Sequence, residues 1–332
     1  MIRYITSPLT LVLVLLVLMI FSLGIGKYPV TISEILNGLL LTSERENSEF
    51  IERLIYEVRL PRVLAAVIIG MALAVSGAAF QSMFMNPLVS PGILGVLAGA
   101  SFGAALGMVI SDHWFMVQLL AFVFGSAAVG LALLIGGTKR GNALVLMILG
   151  GIISGALFSA LLSVVKYVAD PYNDLPAIVY WLMGSLASVE KNTVLMLAIP
   201  MVGGSILLML LARPLNALSM GEEEAKSLGV PVKTIRILVI SVATLISTLT
   251  VVIGGMIGWV GLVIPHIARL LVGSDNRKLL PVAGILGAIY LLLIDNISRL
   301  AFTVEIPIGI LTALIGIPFF AWALKNVKKG WN

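Results

Sequence analysis

Two apolar runs, TVLMLAIPMVGGSILLMLL (Thr193–Leu211) and IRILVISVATLISTLTVVI (Ile235–Ile253), enclose a charged stretch, RPLNALSMGEEEAKSLGV (Arg213–Val230). Each run has about the length, roughly 20 residues, that an α-helix needs to cross a lipid bilayer. The stretch between them is rich in charged and turn-forming residues, so it fits neither a protein core nor a membrane span. We therefore expect two spanning helices joined by a folded segment outside the membrane, and we call Arg213–Val230 the insert.

The composition extends this interpretation to the whole chain. Of 332 residues, 60% are hydrophobic and only 11% are charged, and the mean hydropathy is +1.12, far from the usage of soluble domains. We predict an all-α integral membrane protein in which residues 1–332 form a single transmembrane domain of about ten spans. The predicted spans are Leu9–Ile25, Leu64–Phe84, Ile93–Ile110, Phe115–Gly136, Ala143–Val165, Thr193–Leu211, Ile235–Ile253, Gly258–Val272, Pro281–Ile297 and Ile308–Val327. The eighth is short and rich in glycine, so we expect it to be broken or tilted.

Basic residues gather at one set of span ends and acidic residues at the other. The basic set is Lys139, Arg140, Arg213, Lys226, Lys233, Arg236, Arg269, Arg277, Lys278, Lys325, Lys328 and Lys329. The acidic set is Glu44, Glu46, Glu49, Glu52, Asp112, Asp170, Asp174, Glu190 and Glu305. Because short loops rich in lysine and arginine stay in the cytoplasm, we expect the basic ends, the insert and both termini to be cytoplasmic. The net charge of +5 then reflects topology, and nucleic acid is not an expected partner.

The order of the spans predicts two related halves. Ten spans divide into two groups of five, and an odd number in each group turns the second group upside down relative to the first. Inverted repeats of this kind are typical of transporters.

The third span carries a packing signal. Its glycines recur every fourth residue, at Gly95, Gly99, Gly103 and Gly107. This bare stripe predicts close packing against a neighbouring helix, where leucine would disrupt the contact and alanine would be far milder. Gly151 and Gly155 repeat the pattern in the fifth span.

Signatures of catalytic and cofactor chemistry are scarce. Lys27 is the only lysine directly after a glycine, and the other residues of a phosphate-binding loop are missing around it. The chain has no cysteine. Its two histidines, His113 and His266, lie far apart and lack the spacing of metal ligands. We therefore expect no catalytic residue, metal site or cofactor site in this chain.

The middles of the spans are nearly free of ionisable residues, whereas ion-coupled carriers keep such residues at membrane depth. Lys166 and Asp295 lie near the outer ends, and Asp295 can pair with Arg299 at i,i+4. A permease driven by a separate ATP-hydrolysing motor therefore fits better than an ion-coupled secondary carrier. A non-transporting membrane scaffold is the other alternative.

The insert has the pattern of two short helices separated by Gly221. Pro214 suits the first turn of one helix, and Gly229 suits the end of the other. Acidic residues start the second helix, where the positive end of the helix dipole lies, and a small apolar face lies beside them. The acidic residues are Glu222, Glu223 and Glu224, and the apolar residues are Leu218, Met220, Ala225 and Leu228. This pattern is typical of a docking element for a motor, and an amphipathic connector resting on the lipid fits it equally well.

Several longer motifs point to one family. In chain order they are Arg59–Arg62 (RLPR), Gly70–Val96 (GMALAVSGAAFQSMFMNPLVSPGILGV), Tyr180–Gly184 (YWLMG), Ala217–Gly221 (ALSMG), Ala225–Gly229 (AKSLG), Ile257–Leu270 (IGWVGLVIPHIARL) and Ile306–Phe320 (IPIGILTALIGIPFF). Together they resemble the FecCD-type permeases, which are the membrane subunits of type II ABC importers for iron-siderophore complexes, haem and vitamin B12. The resemblance covers nearly the whole chain. It implies a BtuC-like fold of ten helices in the cytoplasmic (inner) membrane of a bacterium or archaeon.

The same resemblance implies partners. They are a second permease subunit, as a homodimer or close heterodimer, two cytoplasmic ABC ATPases that bind ATP and Mg²⁺, and a periplasmic or lipoprotein substrate-binding protein. Residues 212–231 would be the cytoplasmic coupling helices, seated in a cleft of the ATPase. The implied coupling residues are Leu218, Met220, Gly221, Glu222, Glu223, Glu224, Ala225, Leu228 and Gly229.

Two further sites follow from the resemblance. Arg59, Arg62 and Arg299 match outer-face arginines that meet glutamates of the binding protein, although anchoring at the membrane interface is the alternative for such residues. The translocation path would run along the fifth span, at Ser154, Phe158, Ser159, Ser163 and Tyr167, where a packing role for any one serine is equally compatible. The expected cargo is an iron chelate, followed by haem, cobalamin or a molybdate-like oxyanion.

Overall fold

The structure is a computed structural model that describes residues 7–31, 33–35, 48–136, 143–301 and 303–327. The helices are α1 (Pro8–Gly24), α2 (Ser48–Arg53), α3 (Leu60–Phe84), α4 (Val96–Ile110), α5 (Trp114–Gly136), α6 (Ala143–Val168), α7 (Asp174–Leu182), α8 (Lys191–Leu210), α9 (Ala212–Leu218), α10 (Glu222–Ser227), α11 (Val232–Gly254), α12 (Val260–Val272), α13 (Asn276–Leu300) and α14 (Ile308–Val327). A π-helical turn, Leu54–Arg59, joins α2 to α3, and a 3-10 turn, Pro91–Leu94, precedes α4. Six charged residues used above for the orientation lie outside the described residues: Glu44, Glu46, Lys139, Arg140, Lys328 and Lys329.

The ten predicted spans are confirmed as helices. Six helical stretches of the described chain are long and apolar enough to cross a membrane, and four shorter apolar helices complete the set. The largest error in a boundary is at α13, which begins at Asn276 rather than at Pro281. The short helix α7 was not predicted. The inverted relation between the two halves stays a prediction.

The helix α3 lies at the centre of the subunit. Nearly all of its residues are buried, and it packs against α8, α11, α12 and α13. The closest approach is to α13, where a Cβ added to Gly70 would lie 2.2 Å from the carbonyl oxygen of Gly287. A Cβ at Gly287 would lie equally close to the carbonyl oxygen of Gly70. The two backbones therefore touch, and only glycine fits at either position.

The glycine stripe of α4 packs against α5, as predicted. A Cβ at Gly99 would lie 2.3 Å from the carbonyl oxygen of Phe124, and one at Gly103 would lie 2.1 Å from that of Leu120. The expectation that alanine would be far milder than leucine stays a prediction, although alanine too must force the two helices apart. A methyl group alone overlaps a backbone oxygen at these distances, and backbone cannot move aside as a flexible side chain can.

Polar groups lie at the two ends of the α3–α13 pair. At one end Arg62, near the start of α3, contacts Asp295, near the end of α13. At the other end Ser82, near the end of α3, donates a hydrogen bond to Asn276, the first residue of α13. We call these the arginine end and the insert end, because the insert lies beside Asn276.

The eighth span is short, as predicted, but its helix is unbroken. Residues 255–259 are not helical, and α12 has 13 residues, about 20 Å of helix against a hydrocarbon core of about 30 Å. The end of α11 and the non-helical segment 255–259 meet the end of α7 and the start of α14 in what we call the backbone junction. There Ser185 N–H donates to Gly254 O at 3.0 Å, Ile308 N–H to Gly184 O at 2.9 Å, and Gly309 N–H to Met183 O at 3.1 Å. Three irregular segments thus satisfy one another's backbone groups.

Candidate functional site

The insert folds into α9 and α10 with a turn between them. Gly221 has φ of +127° and Gly229 has φ of +77°, and both values favour glycine. The three glutamates of the insert fill the first turn of α10, where the helix dipole favours negative charge. The predicted two-helix pattern is therefore confirmed.

The apolar residues of the insert divide into two sets. Leu218 and Ala225 are buried in the main hydrophobic core. Met220 is 66% exposed and Leu228 is 64% exposed, and the side chain of Glu223 beside them is 84% exposed. This corrects the expectation of one apolar face: the first pair fastens the insert to the bundle, and the second pair faces away from it. Exposed Met220 and Leu228, next to acidic side chains, are the part that a partner can reach.

Ion pairs hold α10 against α11. Lys226 Nζ lies 3.1 Å from Glu222 Oε1 and 2.9 Å from Glu223 Oε1. Arg236, on α11, places Nη2 3.1 Å from Glu222 Oε2. Hydrogen bonds from Lys226 and Arg236 lower the pKa of Glu222 below its usual value. The predicted pair of Glu222 with Lys226 is thus confirmed, and Arg236 extends it to the next helix.

An amide joins the insert to α13. Asn216, on α9, donates from Nδ2 to Asp275 Oδ1 at 2.7 Å and accepts at Oδ1 from Asn276 N–H at 2.8 Å. Asp275 caps α13 by accepting from Arg277 N–H. Sequence reasoning missed Asn216. The capping residue before α13 was the available signal, because Asp directly before a helix marks its N-terminus.

At the arginine end, the chain's own carboxylates occupy Arg62. Its Nε donates to Asp295 Oδ1 at 2.9 Å, and its two Nη atoms donate to the two oxygens of Glu305 at 3.0 and 2.8 Å. Asp295 is fully buried, and its second oxygen lies 3.2 Å from Arg299 Nε. That last contact is an ion pair without the alignment of a hydrogen bond.

The other two arginines bind the end of α1. Arg59 donates to the carbonyl oxygens of Leu23, Gly24 and Tyr28. Arg299 donates to Ser22 Oγ, to the carbonyl oxygens of Ser22 and Ile25, and to Asn296 Oδ1. All three arginines are buried.

This placement corrects the expectation of three outward-facing docking arginines. Each guanidinium is buried and bonded to groups of the same subunit. A buried charge needs such partners. The contacts of the arginines tie α1, α3 and α13 to one another inside the subunit, which also differs from the alternative of anchoring at the membrane interface. The loop residue Glu305 was missed, since it lies 243 positions from Arg62 and no local pattern links them.

The five residues expected along the path divide between the two faces of α6. Ser154 is buried and donates to Ala128 O at 2.7 Å, and Phe158 packs its ring against Phe102 and Phe124. These two therefore lie inside the subunit, which corrects the expectation for them. Exposed residues share the opposite face of α6, and they include Ser159, Ser163 and Tyr167.

Comparison with known proteins gives the family. The model of the FecCD transport family matches residues 14–326. The chain belongs to the FecCD transport family. The molybdate import permease MolB of Haemophilus influenzae is 40% identical over 323 residues, 96% of this chain and 95% of that protein. A probable iron chelatin permease of Helicobacter pylori is 35% identical over 307 residues, 92% of each chain.

A solved structure gives the fold of this FecCD permease. An ABC transporter of the metal-chelate type, in an inward-facing conformation, matches with a TM-score of 0.86 and 39% identity, over 96% of this chain and 98% of that one. The protein is therefore a multi-pass membrane permease subunit of an ABC importer with a BtuC-like fold. Within the part of the chain that the structure describes, no group of His, Cys, Asp and Glu side chains could hold a metal ion.

Proposed function

We propose that this FecCD permease forms the membrane pathway of a type II ABC importer that moves an iron chelate into the cytoplasm by alternating access. Two partner ATPases drive it from the insert end. The observation that carries the proposal is the insert, whose buried residues fix it to the bundle while Met220, Leu228 and Glu223 are left exposed. Exposed apolar side chains on a fixed, charged platform are typical of a protein-binding surface.

The charge at the insert end supports a cytoplasmic position for it. Arg213, Lys226, Lys233, Arg236 and Arg277 all lie there, and cytoplasmic loops are enriched in such residues. Both termini are then cytoplasmic as well, in the inner membrane of a bacterium or archaeon.

The exposed face of α6 supports a path shared with a second permease subunit. The spanning part of α6 is only 22% buried, against 78% for that of α3. Ser159, Ser163 and Tyr167 add weak polarity to this face without charge, which suits a cargo that must pass without tight binding. In this proposal the second subunit is a copy of the same chain, and the two α6 faces enclose the cargo.

A substrate-binding protein would deliver the cargo at the arginine end. The arginine cluster supports such docking by fixing the surface that a partner meets. Direct pairing of Arg62 with an external carboxylate would require Glu305 to leave its place.

The iron chelatin and metal-chelate relatives support an iron chelate as cargo. Molybdate is the second candidate, because the permease that is 40% identical to this chain imports molybdate. Haem and cobalamin are the remaining cargoes proposed within the family. An ion-coupled carrier or a non-transporting scaffold is the alternative outside it.

Reconstitution in liposomes tests the proposal. The permease with its ATPase subunits and binding protein should accumulate a ⁵⁵Fe-hydroxamate chelate, or molybdate for the second candidate, only when ATP is supplied. Leu228→Asp and Glu223→Lys should both abolish the stimulation of ATP hydrolysis by the loaded binding protein. The aspartate would be desolvated without a partner in an ATPase cleft, and the lysine reverses the charge that the cleft meets.

The matched control is Ser227→Ala on the same helix, which removes a hydrogen bond within α10 only and should leave uptake unchanged. Full uptake and stimulation in both insert variants would overturn the role of the insert. Uptake without any ATPase subunit would favour the carrier. No uptake of iron chelate, molybdate, haem or cobalamin by the complete assembly would leave the scaffold.

A further inference from the structure

The helices α3 and α13 pack along one another as one unit between the insert end and the arginine end. Each helix has 25 residues, about 37 Å at 1.5 Å per residue. The backbones touch at Gly70 and Gly287, and the pair is tied at the arginine end through Arg62 and Asp295. The unit is therefore a continuous packed connection between the two ends.

Polar bonds hold the insert to the near end of that unit. Asn216 uses both ends of its amide, donating to the Asp275 carboxylate and accepting from the first N–H of α13. Asn276 is fully buried, and its Oδ1 accepts a hydrogen bond from Ser82 Oγ of α3 at 2.7 Å. One hydrogen bond thus joins Asn216 to Asn276 of α13, and a second joins Asn276 to Ser82 of α3.

The charge on Asp275 strengthens the contact. Hydrogen bonds from Arg277 and Asn216 hold the pKa of the Asp275 carboxyl well below its usual range, so it is ionised at physiological pH. Hydrogen bonds to a charged acceptor are shorter and stronger than bonds between neutral groups. The geometry also fixes the position of α9 along α13, because a shift of α9 breaks both hydrogen bonds of the Asn216 side-chain amide at once.

We propose that Asn216 is a positioning residue that transmits movement of the insert to the α3–α13 pair and through it to the arginine end. The inference rests on the proposed function, in which an ATPase moves the insert. Covalent links lead from the insert only to α8 and α11. Besides these links, α9 packs apolar residues against α3 and α13, and the contact through Asn216 is the polar one that fixes its position along α13.

A fluorophore at the far end provides the readout. The chain has no cysteine, so Val304→Cys, at a 75% exposed position of the arginine end, gives one thiol for an environment-sensitive probe. The labelled permease is assembled with its ATPase subunits and trapped with ATP and vanadate. The parent should show a change in emission on trapping. The assembly that contains Asn216→Ala should hydrolyse ATP through its ATPase subunits at the parental rate but lose most of that change.

A charge exchange separates this role from a general loss of stability. Asn216→Asp alone sets two carboxylates against each other and should abolish the emission change. Combined with Asp275→Asn, it restores a donor opposite an acceptor and keeps the acceptor for Asn276 N–H. The Oδ1 atom that also accepts from Arg277 N–H is lost in this pair, so the emission change should return in part. Ser219→Ala is the matched control on the insert, because it removes a bond within the insert only and should behave as the parent.

The outcomes are distinct. A parental emission change in Asn216→Ala, or an exchange pair that assembles without recovery, overturns the role of Asn216. If Asn216→Ala fails to assemble, the exchange pair decides by itself. If the parent permease does not bind the ATPases, the proposed function fails first and the inference fails with it. If it binds them but shows no emission change on trapping, the inference alone fails.

Discussion

Replacing Gly70 by alanine would push α3 and α13 apart at their closest contact. The new Cβ would lie 2.2 Å from the carbonyl oxygen of Gly287, whereas carbon and oxygen atoms in close contact are usually about 3.3 Å apart. The helices must therefore separate by roughly 1 Å, a gap that forfeits a quarter to a half of each nearby dispersion contact. Overpacking of a core typically costs about 1–3 kcal/mol, and we expect the upper end because backbone blocks the methyl group.

The matched control is Gly203→Ala on α8. A Cβ at Gly203 meets nothing within 4 Å, and alanine in a helix interior is favoured over glycine by roughly 0.5–1 kcal/mol. The two variants should therefore differ by about 4 kcal/mol in stability. Thermal unfolding in detergent, followed by the fluorescence of the five tryptophans, gives the comparison.

A second variant checks the cause. Gly287→Ala should be as harmful as Gly70→Ala, and the double variant should cost less than the sum, since one separation accommodates both methyl groups. If Gly70→Ala melts at the same temperature as Gly203→Ala, the backbone contact does not stabilise the subunit and the reasoning fails.

Two further predictions concern the path and the insert. A cysteine at Ser163 should react with a water-soluble maleimide in the assembled transporter. A cysteine at Leu195, exposed on α8, should not react, because a thiol in hydrocarbon does not ionise. Equal labelling of both would contradict an aqueous path along α6. The pKa of Glu222 is lower in the folded protein than in the unfolded chain, where it is about 4.3. Its pairs with Lys226 and Arg236 therefore stabilise the fold above that unfolded pKa. This contribution is lost as the pH falls through the lower, folded pKa. The melting temperature of the parent should exceed that of Glu222→Gln slightly at pH 7, and the difference should vanish in acid; a difference that is the same at both pH values would exclude Glu222 as its source.

The sequence predicted the features that local chemistry determines. Apolar length located the ten spans, and Gly221 and Gly229 located the two helices of the insert because their backbone angles suit glycine. The stripe in α4 identified a helix contact, because small residues let two backbones approach closely. The start of α13 was misplaced because hydropathy reads the polar residues at 276–278 as loop, although Asp275 caps a helix there.

The unpredicted features depend on pairs that are distant in sequence. Arg62 meets Glu305 and Asn216 meets Asp275 only after the helices pack, so no spacing reveals either pair. The rotation of α6, which buries Ser154 and exposes Ser163, is likewise set by its neighbours. Leu218 and Leu228 are the same residue type in one insert, yet packing places the first in the core and leaves the second exposed.

The backbone junction bears on how the chain is assembled in the membrane. Its acceptors, at Met183 and Gly184, are made early, whereas the donors at Ile308 and Gly309 arrive with α14, after α7 and α11 have been synthesised. Unpaired backbone groups are costly in hydrocarbon, so the earlier segments reach their final hydrogen bonding only after α14 inserts. The permease therefore completes its backbone junction only when α14 has inserted, and until then the carbonyl groups of Met183 and Gly184 lack these two partners.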